Sequence, residues 1–276
     1  MEFQNIRWEK EGNIGIITLN RPKSLNALSA PLFKELEFVL DEIKNDPQMG
    51  AFIITGAPRV DGRPCFCAGA DLKQAPTETR TPEQVIFDTL YAMTTRKNAT
   101  GLAGSTFALD DLGRIPKIAI AAIDGVCTAG GLELALGCDI ILAAETAQIS
   151  DLHIRNLGLI GGAAGTTRLA RRVGASKAIE LTCTCDVIDG KEAHRIGLAN
   201  QVYAPDKLIS SAKEMAKRIA SMRPAALAMS KATCYAIYDM DYNMAFRFTD
   251  ACSMAIHFGE AEWRAQQQKQ QGQGKP

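Results

Sequence analysis

The sequence has no charge of either sign in excess: 31 Lys and Arg stand against 31 Asp and Glu. A nucleic-acid or anionic-membrane partner would need a basic surplus, so neither is expected. No apolar run approaches the length of a membrane span. The opening residues, Met1-Glu2-Phe3-Gln4, have neither a basic start nor a long apolar core, so no secretory leader is expected. Cysteines occur at 65, 67, 127, 138, 183, 185, 234 and 252, yet none are spaced Cys-x-x-Cys. That argues against a zinc knuckle. No His/Asp/Glu cluster has metal-ligand spacing either, so no metal is expected. Several cysteines lie in apolar runs and read as reduced, buried residues of a cytoplasmic protein. What is left is an ordinary globular composition, 276 residues with 46% hydrophobic and 22% charged, enough for one large domain or one and a half.

The chain opens with two strands, Ile6 to Glu9 and Ile14 to Leu19, joined by a turn at Glu11-Gly12-Asn13. Asn20-Arg21-Pro22 ends the second strand. Ser29 is an N-cap with Pro31 in the first turn. Leu32, Leu36, Val39, Leu40 and Ile43 then form a helical stripe that Asp46-Pro47 stops. Ala51 to Thr55 is a buried strand, followed by a loop from Gly56 to Pro64. A weak helix is read from Glu83 to about Thr95, and a Gly/Ala/Ser/Thr loop from Thr100 to Ser105. Ile140 to Ala143 continues as a strand, and Ala147 to Leu152 alternates briefly. Ala164 to Arg172 and Ser176 to Thr182 are helices separated by Gly174, and Lys191 to Arg195 is a short one ended by Gly197. From about Pro205 the pattern is wholly helical up to a Gln/Gly/Lys-rich end, Gln266 to Pro276, expected to fray. Repeated strand-strand-helix units suggest a right-handed spiral.

The stretch Ile118 to Asp139 carries the chemistry. Ile118 to Ile123 is a short β-branched run, read as a buried strand. Asp124-Gly125 breaks it, and a helix opens at Gly130-Gly131 with Leu132, Glu133, Leu134, Ala135 and Leu136. A helix N-terminus offers unpaired amides and the positive end of a dipole, and glycine lets an oxygen approach them. Gly130 is therefore a candidate oxyanion donor, and Glu133, one turn on, a candidate proton carrier. On their own the glycines could be packing residues and Glu133 a dipole partner.

Several motifs, in order, carry a resemblance to a known family. They are Leu19-Asn20-Arg21-Pro22-Lys23-Ser24-Leu25-Asn26-Ala27-Leu28, then Cys67-Ala68-Gly69-Ala70-Asp71-Leu72, then the stretch above. Leu157-Gly158-Leu159-Ile160-Gly161-Gly162 follows with Gly165-Thr166-Thr167-Arg168-Leu169, and finally Ala193-His194-Arg195-Ile196-Gly197-Leu198. Together they span about residues 15 to 203, and the sequence resembles the crotonase (enoyl-CoA hydratase/isomerase) superfamily. The resemblance implies an α/β fold, a crotonase-like spiral of β-β-α units over residues 1–203. Residues 204–276 would form a helical region for trimer contacts and pocket closure. It implies an acyl-CoA thioester substrate, no cofactor beyond the CoA that the substrate carries, and a homotrimer or dimer of trimers. Ala70 would pair with Gly130 as the oxyanion hole. Lys23, Ala27, Ala68, Asp71, Leu72 and Lys73 would line the CoA edge. Phe87, Met93 and Phe107 are candidate acyl-pocket walls, with core packing the commoner role for each. The loop Gly56 to Pro64 is longer than usual, and Gly161-Gly162 stands where Pro-Gly is commoner.

The hydratases of that family use two glutamates, and here the sequence departs. Glu133 matches the first. Counting back from Gly158, the second position is Ile154; counting forward from Ala147-Gln148, it is His153, because the segment is one residue longer. In one reading a bulge absorbs the extra residue and His153, with an ordinary pKa near 6.5, shares the work with Glu133. In the other, Ile154 fills the slot and Glu133 acts alone. Asp151 and Arg155 are the other titratable groups nearby, and Arg155 would suit an acidic acyl group if it faced inward. His194 and His257 read as structural. Three functions follow. The first is an enoyl-CoA hydratase/dehydratase; the second, an isomerase or decarboxylase with Glu133 as single base; the third, a CoA-binding protein without catalysis.

Overall fold

The computed structural model describes residues 2–74, 81, 83, 112–257 and 259–272. The expected helix from Glu83 to Thr95, the loop at 100–105 and the pocket walls Phe87, Met93 and Phe107 fall outside them, Glu83 alone excepted.

The described strands make two sheets. The larger contains β1 (Ile6–Glu11), β2 (Ile14–Leu19), β3 (Ala51–Gly56), β5 (Ile118–Ile123), β7 (Ile140–Ala144) and β9 (Gln201–Tyr203), in that order. Only the β1–β2 hairpin is antiparallel; every later pair is parallel. The smaller sheet is β4 (Cys65–Cys67), β6 (Val126–Thr128) and β8 (Gln148–Ser150), also parallel. From β3 onward the chain alternates strictly between the sheets, so each circuit adds one strand to both. This is the spiral that the repeated units suggested.

The apolar runs of the larger sheet are continuous because both its faces are buried. Successive side chains point to opposite sides. Ile17, Leu19, Phe52, Ile54, Ala119, Ala121, Ile141 and Ala143 face one core. There they meet helix α1 (Ala30–Asn45), Phe66 and Cys127 of the smaller sheet, and helix α2 (Gly130–Gly137). Ile14, Ile16, Ala51, Ile53, Ile120, Ala122, Leu142 and Ala144 face a second core. It is closed by helix α7 (Leu208–Ala220) through Leu208, Ala212, Ala216 and Ala220. That stripe is small so that the helix can lie close: a Cβ on Gly50 would sit 2.6 Å from the Ala220 Cα.

Between these lie α3 (His153–Leu157), α4 (Gly165–Val173), α5 (Ala175–Thr184) and α6 (Gly190–Arg195). The tail adds α8 (Pro224–Ala236), α9 (Tyr242–Ile256) and α10 (Glu260–Gly272). The expected frayed end at Gln266 is instead helix as far as Gly272. Ser29 caps α1, its hydroxyl accepting from the Leu32 amide. Buried charges pin the periphery. Glu35 on α1 accepts from the amides of Gln4, Asn5 and Ile6. Lys231 on α8 donates to the carbonyls of Leu112 and Lys117 and, at 2.8 Å, to Asp139.

Candidate active site

All three strands of the smaller sheet point the same way, and ligands of parallel sheets gather beyond the carboxyl ends of the strands. There β4 hands the chain to Ala68-Gly69-Ala70, β6 to Ala129 and α2, and β8 to Asp151 and His153. The register places Thr128 beside Ser150, and the Ser150 hydroxyl donates to the Thr128 hydroxyl at 3.1 Å.

Two backbone amides converge first. Leu28 pairs with the β4 loop, its amide donating to the Gly69 carbonyl and its carbonyl accepting from Asp71. The Ala70 amide lies between those bonds, on the opposite edge. A Cβ on Gly130 would be 3.3 Å from the Ala70 nitrogen, and one on Gly69 would be 3.3 Å from the Gly130 nitrogen. The two donors therefore flank one narrow approach, and among the described residues neither is bonded to a backbone carbonyl. Gly69, at φ +102°, adopts a conformation that suits glycine. Ala129, just before α2, does so at φ 51° and ψ −121° without glycine's freedom. Such backbone strain persists where the surroundings over-determine it, and it marks functional sites. Gly131 lets α2 begin against β4, since a Cβ there would be 2.2 Å from the Cys67 carbonyl oxygen.

Three side chains from the same end of the smaller sheet stand in a row: Glu133, His153 and Asp151. Glu133 is buried in the first turn of α2, and among the described residues no donor reaches its Oε1. Burial pushes its pKa up to about 7, against the opposing field of His153; Asp151 adds to the rise and Arg168 resists it. His153 opens α3, and its Nε2 is 4.0 Å from Glu133 Oε1. Its Nδ1 is 2.6 Å from Asp151 Oδ1, and the same oxygen accepts from the His153 amide at 3.1 Å. The hydrogen bond to Asp151 raises the pKa of His153; burial opposes this and the field of Glu133 adds to it. Burial also works against ionisation of Asp151, but the hydrogen bonds from the His153 ring and amide overcome it and leave the carboxyl below its usual range.

The structure thus distinguishes the two candidates for the second position. His153 turns to Glu133, while Ile154 is 42% exposed. The expected bulge is absent: the segment is one helical turn, ended by Gly158 in the left-handed region. Arg155 turns away, donating to the carbonyls of Thr184 and Cys185 at the end of α5, so it offers nothing to an acidic acyl group.

The other expected site residues differ in burial. Lys23, Leu72 and Lys73 are exposed, Ala27 is buried and Ala68 partly so. Asp71 is close by, but its carboxylate is taken up by an ion pair with Arg21 at 2.7 Å. Cys65 and Cys67 are buried packing residues, their thiols pushed up by burial to about 11 and about 12.

Sequence reasoning missed three contributors. Asn26 is fully buried and donates to the carbonyls of Ala57 and Cys65 while accepting from the Arg21 amide, so it joins three loops. Its signal was an asparagine inside the Leu25-Asn26-Ala27-Leu28 motif, with Leu25 and Asn26 both at positive φ. Gly161 and Gly165 wall the carboxylate. A Cβ on Gly161 would lie 2.6 Å from Glu133 Oε1 and 2.9 Å from the His153 ring, and one on Gly165 would lie 2.7 Å from Glu133 Cγ. A proline, whose ring builds on a Cβ, would not fit at 161 in this arrangement.

Comparison with known proteins bears on the family and the fold. The family model described as enoyl-CoA hydratase/isomerase matches residues 9–260. The short-chain-enoyl-CoA hydratase of Clostridium acetobutylicum is 38% identical, over 84% of this chain and 81% of its own. Among solved structures, an enoyl-CoA hydratase from Bacillus anthracis superposes with TM-score 0.80 at 30% identity, covering 98% of this chain and 97% of its own. A putative enoyl-CoA hydratase from Thermobifida fusca, crystallised in complex with CoA, superposes with TM-score 0.77 at 27% identity, covering 94% and 95%. With a family match across nearly its whole length and the same fold, the chain belongs to the enoyl-CoA hydratase/isomerase family.

Proposed function

We propose that this protein adds water across the C2–C3 double bond of an enoyl-CoA thioester, and catalyses the reverse dehydration, with Glu133 and His153 as the proton-transferring pair. One observation carries the reading: Glu133 Oε1 and His153 Nε2 face each other 4.0 Å apart, with Glu133 in the first turn of the helix that Gly130 opens. That gap is too long for a direct hydrogen bond, but one oxygen set off the line lies about 2.8 Å from both. The names of the relatives support hydration over the other reactions of the family.

In the forward step one member of the pair takes a proton from water as its oxygen bonds to C3. The π electrons move toward C2 and the thioester oxygen, where the amides of Ala70 and Gly130 hold the enolate charge. The other member gives a proton to C2. Glu133, at about 7, and His153, raised above the usual histidine value, share protons near neutrality, and their titrations belong to the pair.

The CoA portion lies along the rim of Lys23, Ala27, Ala68, Leu72 and Lys73, with the Asp71–Arg21 ion pair bracing the oxyanion loop from behind. The exposed lysines suit its phosphates. The CoA arrives with the substrate, and no further cofactor is invoked. Tyr242, Met244, Phe246 and Met254 on α9 are large apolar residues exposed on the single chain, which supports assembly through the tail as a trimer or dimer of trimers. All eight cysteines are free, in keeping with a reducing cytoplasmic setting.

The test is mass spectrometry of CoA esters after incubation in water enriched in heavy oxygen. The panel comprises linear, branched, cyclic and dicarboxylic enoyl-CoAs and malonyl-type CoAs. A labelled 3-hydroxyacyl-CoA is expected. A shifted double bond without label, or loss of carbon dioxide, would replace hydration by a reaction that uses Glu133 alone. Light scattering of the purified protein checks the assembly.

A further inference from the structure

Asp151 has two contacts that a surface carboxylate would not need. Its Oδ1 accepts the His153 amide at 3.1 Å, which steadies the start of α3, and meets the ring Nδ1 at 2.6 Å. The first is ordinary turn chemistry; the second acts on the imidazole. A carboxylate at Nδ1 keeps the proton there, so the other ring nitrogen is the one that works. Asp151 is buried, as is Glu133, and the His153 ring between them is nearly so. Gly161 closes the remaining side, with no room for a Cβ against ring or carboxylate.

We propose that Asp151 is a positioning residue for the acid–base pair, holding the His153 ring so that Nε2 faces Glu133. The inference rests on the reading of Glu133 and His153 as that pair. Around the ring the charged groups are Asp151, two residues before it, and Glu133 from α2; Arg168 of α4 acts on Glu133. Arg155, on the same helical turn, is engaged with carbonyls at the end of α5. Asp151 thereby stabilises the imidazolium, and the proton that His153 carries is available to the reaction at higher pH than a free histidine would allow.

The experiment compares D151N, D151A and H153A in steady-state hydration across pH. It adds nitrogen-15 spectra of the imidazoles in the wild type and D151N, with H153A assigning one of only three histidines. Asparagine can still accept both hydrogen bonds but has no charge. D151A should lose at least about tenfold in kcat with KM little changed, the low end of what removing a carboxylate that orients a working imidazole costs. D151N should recover part of that loss. In D151N the His153 titration and its limb of the pH profile should both move to lower pH. A D151A enzyme with wild-type kcat, beside an inactive H153A, would overturn the role of Asp151 and leave the pair intact. Full activity in H153A would remove the pair itself. Should D151A fail to fold, the spectra decide: an unshifted His153 titration in D151N refutes the proposal.

Discussion

The two sheets differ in almost every physical respect. The larger is built of strands mostly five or six residues long, with apolar side chains on both faces and two cores to fill. The smaller has three strands of three residues each. Beyond its carboxyl ends lie a strained alanine, a carboxylate that no donor among the described residues satisfies at Oε1, and an Asp–His contact. The first region stores stability. The second spends some of it on geometry, which fits the general pattern that strain and unpaired polar groups concentrate where chemistry occurs. The lesson is that a fold can divide the two tasks between sheets that share a core, which Phe66 and Cys127 of the smaller sheet enter from their side.

If the division holds, substitutions beyond the smaller sheet should change activity more than stability, and those under the larger sheet the reverse. The largest effect is expected from E133Q, a loss of roughly 10²–10⁴-fold in hydration. The same change should stabilise the fold. The Glu133 pKa lies near 7 in the folded chain, above its unfolded value, so folding is penalised as pH rises through that window. The gain in Tm should therefore be larger at pH 8 than at pH 5. A Tm gain that is equal at the two pH values would mean that Glu133 is not desolvated as described.

On the other side, L36A removes a fully buried side chain of α1 from the main core. Urea unfolding should show a loss of about 2–5 kcal/mol, while the folded enzyme keeps its kcat. A large drop in kcat at full folding would break the division between sheets.

A smaller effect on activity is expected of G161A. The added methyl would meet Glu133 Oε1 at 2.6 Å and the His153 ring at 2.9 Å, so one of them must move. A displacement of that order should reduce kcat about ten- to a hundredfold with Tm nearly unchanged. If G161A lowers Tm and spares kcat, the glycine serves packing only.

The mildest is S29A at the α1 cap, where loss of the hydroxyl acceptor should cost about 1 kcal/mol and leave kinetics alone. Thermal melts and steady-state assays on the same samples check all four.

How far the sequence could be read follows the same contrast. Most of the larger sheet and the helix α1 that packs on it were legible because apolar runs such as Ile118–Ile123 and the stripe from Leu32 to Ile43 have length and period. The strands β6 and β9 and the turn α3 were not, because three to five residues carry no periodicity to detect. The pairing of Gly130 with Glu133 was legible from local helix chemistry, since the two lie on one turn. Asp151 was seen only as a titratable neighbour, and Asn26 and Gly161 only as members of family motifs, because their roles depend on partners far along the chain.

The sequence by itself therefore determined the spiral, through local patterns of burial, and the family resemblance, through its ordered motifs, and it offered Glu133 as a candidate carboxylate through helix initiation at Gly130. It left two residues competing for the second position. Only the tertiary structure decided between them: α3 forms against α5, Arg155 is drawn to the carbonyls there, and Gly161 leaves space beside Glu133. With Ile154 turned outward, the His153 ring is left facing Glu133, with Asp151 behind it. Which side of a single helical turn faces inward is set by what packs around it, and no count of residues along the chain contains that information.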